Sequence, residues 1–443
     1  FRLAAPLSGE GASDCERLRL LTTPQERMSL LGIWRLLRWG NTGRLLRALT
    51  LPRVKKLVIV DHDMGGGANQ YRRQILSGAI AAGKCVIVLT NQPTTLQYVL
   101  EIHLAAVTSR YLLNSLEEAI SHLDRWPLDE VVYNNAVSFD SPETLVEWMS
   151  TLAENRRIAL TMVIHDYYSI CPSPFLLDPE ARFCGIPSDL DVCRSCLPRN
   201  REKFLSLCGT ANIVEWRKGW EKCLLTAKKT VCFSRSSYTL IRRAYPWIDS
   251  ETIEVTPHQV AAFPGGRPQI DLAKPLHLGI LGSIGIHKGA AVVSQLAGEI
   301  IRRGLPIRIS VIGTIELACD PTVISQTGPY HRDQLPGLIE DVGANVFLFP
   351  SICPETFSYA VHELVELQVP VACFDLGAPA DRIRSYEYGK IVPIGNASDI
   401  LDALLEFHAS LSSCHLARKA NSNPSPMCPR AASSPHTSTG HST

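Results

Sequence analysis

VFLFPSICPETFSYAVHE, residues 346–363, runs from four apolar residues through a loop broken by Pro350 and Pro354 into a stretch with helical spacing. So short and apolar a run, followed by an amphipathic stretch, reads as the strand, loop and helix of one α/β unit. The same unit recurs on both sides. Strands are expected at 276–281, 307–312, 369–374 and, shorter, at 390–392, with helices near 289–302, 331–341, 356–367, 378–385 and 397–408. Strand and helix in alternation imply a parallel sheet covered on both faces.

Further upstream the pattern repeats. Apolar runs at 57–60, 85–90, 130–133, 158–164 and 230–233 read as strands, and helices fall near 68–82, 115–123, 141–153, 212–227 and 236–244. Between the two sets, residues 257–275 hold Pro257, Pro264, Gly265, Gly266, Pro268 and Pro275, which suits an interdomain linker. The expected fold class is α/β, with two tandem Rossmann-like, doubly wound domains at 57–256 and 276–408 and a cleft between them.

Composition narrows the partners. Of 443 residues 45% are hydrophobic and 20% charged, and 44 Lys plus Arg face 43 Asp plus Glu. That balance argues against a generally basic nucleic-acid binder, so no nucleic-acid partner is expected. No stretch reaches the roughly 18 uninterrupted apolar residues of a membrane span. The chain opens on Phe1, and residues 1–30 lack a secretory pattern, so it reads as a cytoplasmic piece of something longer. Residues 1–56 form a basic lead-in, with arginines and lysines at 17–56 interleaved with Leu, Ile and Trp near helical spacing. It either packs on a neighbouring domain or makes peripheral contact with an anionic membrane face. Residues 409–443, rich in Ser, Thr, Pro and His, are expected to be disordered.

Fourteen cysteines are spread along the chain, and reduced thiols are the default. Four crowd into one loop. Cys171, Cys184, Cys193 and Cys196 lie at spacings of 13, 9 and 3, ending in a Cys-x-x-Cys pair. They are either four reduced thiols or the ligands of a structural zinc.

Ligands of open parallel sheets bind in the loops beyond the strands' carboxyl ends. After 276–281 comes Gly282-Ser283-Ile284-Gly285-Ile286-His287-Lys288-Gly289, in which glycines admit a phosphate and Lys288 supplies a point charge. In 346–363, Glu355 stands where the loop enters the helix and Glu363 eight residues on, about 12 Å along a helix axis. That span matches the distance from a sugar to a ribose across a diphosphate, with the amides of Thr356, Phe357 and Ser358 facing the phosphates. Singly, each glutamate has a plainer account, as a first-turn residue favoured by the helix dipole or as a solvated one.

Together these residues resemble the donor site of retaining nucleotide-sugar glycosyltransferases of the group-one type, family four, which have the GT-B fold. Asp63-Met64-Gly65-Gly66-Gly67-Ala68-Asn69-Gln70-Tyr71 resembles that family's first glycine-rich loop. His165-Asp166-Tyr167-Tyr168 resembles its strand-end histidine motif, and Pro257-His258 the segment leading to the second domain. The resemblance spans 57–408. It departs at Ser283, where many members carry arginine.

The resemblance implies a nucleotide-sugar donor on the C-terminal domain and a saccharide or lipid-linked acceptor on the N-terminal one, in surface polysaccharide synthesis. It assigns Lys288 to the leaving diphosphate, Glu355 to the donor sugar and His165 to the reacting centre as catalytic groups. Donor contacts fall to Gly66, Gly67, Gly282, Ser283, Thr356, Phe357, Ser358 and, at the ribose, Glu363. No catalytic metal is implied. The alternatives are a catalytically silent nucleotide-sugar binder or a sugar-nucleotide epimerase.

Overall fold

The computed structural model describes residues 2–3, 49–50, 54–95, 97–201 and 212–420. Most of the basic lead-in, and the tail beyond 420, lie outside the described residues.

One sheet gathers β1 (Arg2–Leu3), β2 (Lys56–His62), β3 (Cys85–Gln92), β4 (Gln97–Leu104), β5 (Val107–Leu113), β6 (Glu130–Tyr133), β7 (Ala159–Ile164), β8 (Lys229–Cys232) and β9 (Ile253–Val255), in the order β1-β5-β4-β3-β2-β6-β7-β8-β9. From β3 to β9 neighbours run parallel. Beyond β3 the sheet is antiparallel, which corrects the expectation of a wholly parallel sheet. The hairpin β4–β5 turns at Ala105, whose φ of 51° is unusual for a residue other than glycine.

A second sheet holds β10 (His277–Ile284), β11 (Arg308–Ile315), β12 (Ile324–Gln326), β13 (Val346–Phe349), β14 (Val371–Phe374) and β15 (Gly389–Val392), ordered β12-β11-β10-β13-β14-β15 and parallel throughout. Its strands are near-continuous apolar runs because both faces are covered. One face packs Leu278, Ile280, Val311, Val346 and Leu348, and the other Leu281, Ile312, Phe347 and Val371.

Each sheet reverses direction beside its first strand, at β2/β6 and at β10/β13. Such a reversal leaves a crevice between diverging loops at the carboxyl ends. The two crevices face each other, and every functional candidate discussed below lies on or near their loops. The final helix runs Ala397–Ala420 and packs on helix Ala290–Arg303, with Leu404 and Phe407 buried. Residues 409–420 are therefore helical, contrary to the disorder expected from 409. Ala, Leu, Arg and Lys in this stretch are good helix formers.

Candidate active site

A cavity of about 770 Å³ opens between the two sheets. Its walls include the loops after β2, β6, β7, β10 and β13.

The N-terminal wall is set by a buried polar network. Asn69 accepts from the Gly65 amide at 2.6 Å and donates to Asp61 Oδ2 at 2.9 Å, while Arg72 holds Asp61 from 3.3 Å. This bends Gly65 and Gly66 to φ of 82° and 80°, the left-handed region that glycine enters without strain. Helix Gly66–Ala81 therefore starts at the cavity with no side-chain cap. Gly67 is needed for a different reason: a methyl there would lie 2.7 Å from the Tyr359 ring of the opposite domain.

His165 ends β7 in the cavity wall. Asn134 spends its amide nitrogen on the Ala68 carbonyl at 3.0 Å, so its oxygen must accept from His165 Nε2 at 2.9 Å. The proton thus sits on Nε2, and Nδ1 is left as an acceptor. Burial holds His165 well below the ordinary imidazole range, with His258 nearby adding to the effect. Burial likewise brings His62 and His258 down to about 4 and Asp166 up to about 6. At neutral pH the three imidazoles are uncharged. Asp166 is tied by the Asn135 amide at 2.7 Å and the Tyr168 amide at 2.8 Å.

On the C-terminal wall, Lys288 follows β10, and its ammonium makes no hydrogen bond or ion pair among the described residues. Glu355 lies across the cavity wall from the other loop, its Oε1 buried without a hydrogen-bond partner. A cation and a carboxylate thus line one cavity without pairing with each other, an arrangement that calls for a ligand. Their loops are locked together at Gly289, φ 83°, where any Cβ would strike the Pro350 carbonyl. Glu355 itself is gripped by the start of helix Gly377–Ile383. Ala378 donates to its carbonyl at 2.8 Å, and a Cβ on Gly377 would lie 2.6 Å from its backbone nitrogen.

The helix after β13 begins at Tyr359 rather than near 356, because Ser358 is held at φ 64° and its hydroxyl caps the Val361 amide at 3.4 Å. Thr356 Oγ1 crosses the cleft to the His165 carbonyl at 2.8 Å, and Phe357 is buried among side chains of the N-terminal domain. The domains are in contact here.

No family model matches the chain, and no curated protein does. Among solved structures it is similar to sucrose-phosphate synthase from Thermosynechococcus elongatus, 14% identical with a TM-score of 0.51 over 83% of this chain and 99% of that one. It is also similar to the lipopolysaccharide outer core galactosyltransferase WaaB, 10% identical with a TM-score of 0.50 over 81% and 91%. The fold is GT-B.

In this GT-B cleft, Lys288, Glu355, His165, Gly66, Gly67, Thr356, Phe357 and Ser358 share one cavity. Gly282, Ser283 and Glu363 do not line it. Gly282 lies against Gly313 of the neighbouring strand, and exposed Ser283 accepts from Thr314 Oγ1 at 3.3 Å. Glu363 is buried and ion-paired to Arg332, which donates to its Oε1 at 2.9 Å. That arginine is 31 residues away in sequence, a partnership no local pattern reveals. Arg382 stacks on Phe357 at 4.7 Å, and Arg384 pairs with Asp375 and Asp381.

The structure also adds residues to the site. His62, Arg73, His258 and His287 line the cavity. His287 could have been singled out from its place beside Lys288. His258, of the Pro257-His258 segment, is placed at the cavity by stacking on Phe233 at 3.7 Å. Among the described residues no group of three or more His, Cys, Asp or Glu forms a metal-binding cluster, and the four loop cysteines are free thiols. No helix among these residues is long and apolar enough to cross a membrane.

Proposed function

We propose that the chain moves a sugar from a nucleotide-sugar donor to a saccharide or lipid-linked acceptor, with retention at the anomeric carbon. The observation that carries this reading is the convergence of unpaired Lys288 and Glu355 with His165 and two glycine-bearing loops in one interdomain cavity. One of the two similar structures is, by its name, a galactosyltransferase, which agrees with the reading.

The donor lies on the C-terminal wall. Lys288 neutralises charge on the leaving diphosphate, where preorganised positive groups act most strongly, and the amides of Thr356 to Ser358 bind its oxygens. Glu355 accepts from hydroxyls of the donor sugar. Glu363, expected at the ribose, stands outside this cavity with its Oε1 taken by Arg332, so no ribose contact is assigned to it. An acceptor hydroxyl on the N-terminal wall, near His165 and the amides of Gly66 and Gly67, attacks the anomeric carbon from the face the diphosphate leaves. The new C–O bond forms as the old one breaks, and the hydroxyl proton passes to the departing diphosphate. No pair of carboxylates at hydrolase spacing is needed. The setting that goes with this chemistry is surface polysaccharide synthesis on the cytoplasmic side of a membrane, with residues 17–56 available for peripheral contact.

Ser283 favours one other reading, a binder without turnover, because an arginine that would balance the diphosphate is missing there. Proton NMR of the product separates the two. The transfer reading expects a nucleoside diphosphate and a glycoside of the donor's own anomeric configuration. An inverted product contradicts retention, and donor binding without product on any acceptor supports the silent binder.

A further inference from the structure

Four residues that line the cavity each bury a polar atom without a hydrogen-bond partner among the described residues: the hydroxyls of Tyr167 and Tyr359, His258 Nδ1 and Glu355 Oε1. A buried polar group left unpaired is costly, and a binding site is where a fold keeps one, because the ligand supplies the partner. Glu355 already has a place in the transfer reading. Tyr167 has none, and with 2% of its surface exposed it is the most deeply buried of the four.

Tyr167 is firmly held. Its amide donates to the Pro174 carbonyl at 3.1 Å, its carbonyl accepts from the amides of Ile170 and Cys171 at 2.8 and 3.0 Å, and its ring belongs to the N-terminal core. The polar groups beside it are engaged. His165 Nε2 is taken by Asn134, and the two oxygens of Asp166 accept from the Asn135 side chain and the Tyr168 amide. On the opposite wall Glu355 is fixed in the same way, its carbonyl accepting from Ala378 and its amide donating to the Cys353 carbonyl at 3.0 Å. The two walls meet between them. Thr356, next to Glu355, donates through Oγ1 to the carbonyl of His165, two residues before Tyr167, at 2.8 Å. A phenol donor and a carboxylate acceptor thus flank one cross-cleft hydrogen bond, both held by their backbones and not bonded to each other.

A neutral hydroxyl is the group that satisfies both. It accepts from the phenol with a lone pair and donates its own proton to the carboxylate. An anionic group would be repelled by Glu355, an ammonium has no lone pair for the phenol, and a methylene offers neither bond. We infer that the Tyr167 hydroxyl donates to one hydroxyl of the transferred sugar, the same hydroxyl that donates to Glu355 Oε1. The chain therefore takes donors whose sugar carries a free hydroxyl at that position and rejects those deoxygenated there, since a deoxy sugar would leave two buried polar groups unpaired. This inference rests on the transfer reading and makes Tyr167 a specificity-determining contact within it.

The test compares wild type with Tyr167→Phe on the nucleotide sugar the full chain turns over fastest and on the monodeoxy analogues of that sugar. For the parent donor, kcat/KM is expected to fall about 10- to 100-fold in the variant. For one monodeoxy analogue the two proteins should agree within about twofold, because the contact is already gone, while the other analogues keep the full difference. The ligand-free variant should melt at or above the wild-type Tm, since the hydroxyl it loses has no partner there. An equal loss on every donor, or a lower Tm, shows a structural role and overturns the inference, as does an unchanged kcat/KM for the parent donor. The two readings fail differently. Wild type that transfers sugar alongside an unaffected Tyr167→Phe sinks this inference alone, whereas wild type that turns over no nucleotide sugar sinks the transfer reading and this one with it.

Discussion

Lys288→Ala is expected to lower kcat for sugar transfer by about 10²- to 10³-fold, the usual loss when a preorganised charge at a developing anion is removed. The fold should be untouched. The side chain makes no hydrogen bond or ion pair among the described residues, so no structural partner is stranded, and the helix that follows is fixed by Gly289 against Pro350. The effect should fall mainly on kcat, because negative charge on the diphosphate grows as the sugar leaves and the lysine is worth most in the transition state. Steady-state kinetics with far-ultraviolet circular dichroism as a folding check measures it. A variant with near-normal kcat would remove Lys288 from the chemistry.

Gly377→Ala is expected to damage stability and transfer together. At φ 61° the added Cβ strains the backbone, and it would lie 2.6 Å from both the nitrogen and the carbonyl oxygen of Glu355. Strain and overpacking together should cost about 2–4 kcal/mol in stability. Because the atoms that must give way carry Glu355, transfer should fall by about 10²-fold, the cost of misplacing a catalytic group by roughly 1 Å. Gly298→Ala is the control. It sits exposed in helix Ala290–Arg303 with nothing near its Cβ, and alanine there should stabilise by about 0.5–1 kcal/mol. Denaturant unfolding and kinetics on both variants separate the two outcomes, and equal behaviour would show that Glu355 is not held through Gly377.

What the sequence disclosed and what it hid follow from the range of the forces involved. β2, β3, β6 and β13 are runs of apolar residues cut off by breakers, so each was visible locally. The β4–β5 hairpin was not. Its turn at Ala105 lacks the Gly, Asn or Pro that marks such turns, and only pairing across the sheet holds the positive φ. The start of the helix at Tyr359 is hidden for a similar reason, since the positive φ of Ser358 is imposed by its surroundings. Lys288, Glu355 and His165 were legible because each follows a strand, where the fold collects ligand groups. Glu363 was legible as a residue, but its partner Arg332 was not, nor was the grip of Gly377 on Glu355. Both are contacts between elements distant in sequence.

The central claim is that this cleft binds a nucleotide sugar through Glu355 and Lys288. Thermal unfolding of the full chain against a panel of nucleotide sugars tests it most directly, because a ligand that binds only the folded state adds about 2.7 kcal/mol at a hundredfold excess over Kd. The account predicts that at least one nucleotide sugar raises Tm in a concentration-dependent way, and that Glu355→Ala, while still folded, loses most of that rise. A panel without a single shift, or a shift of the same size in Glu355→Ala, would contradict it.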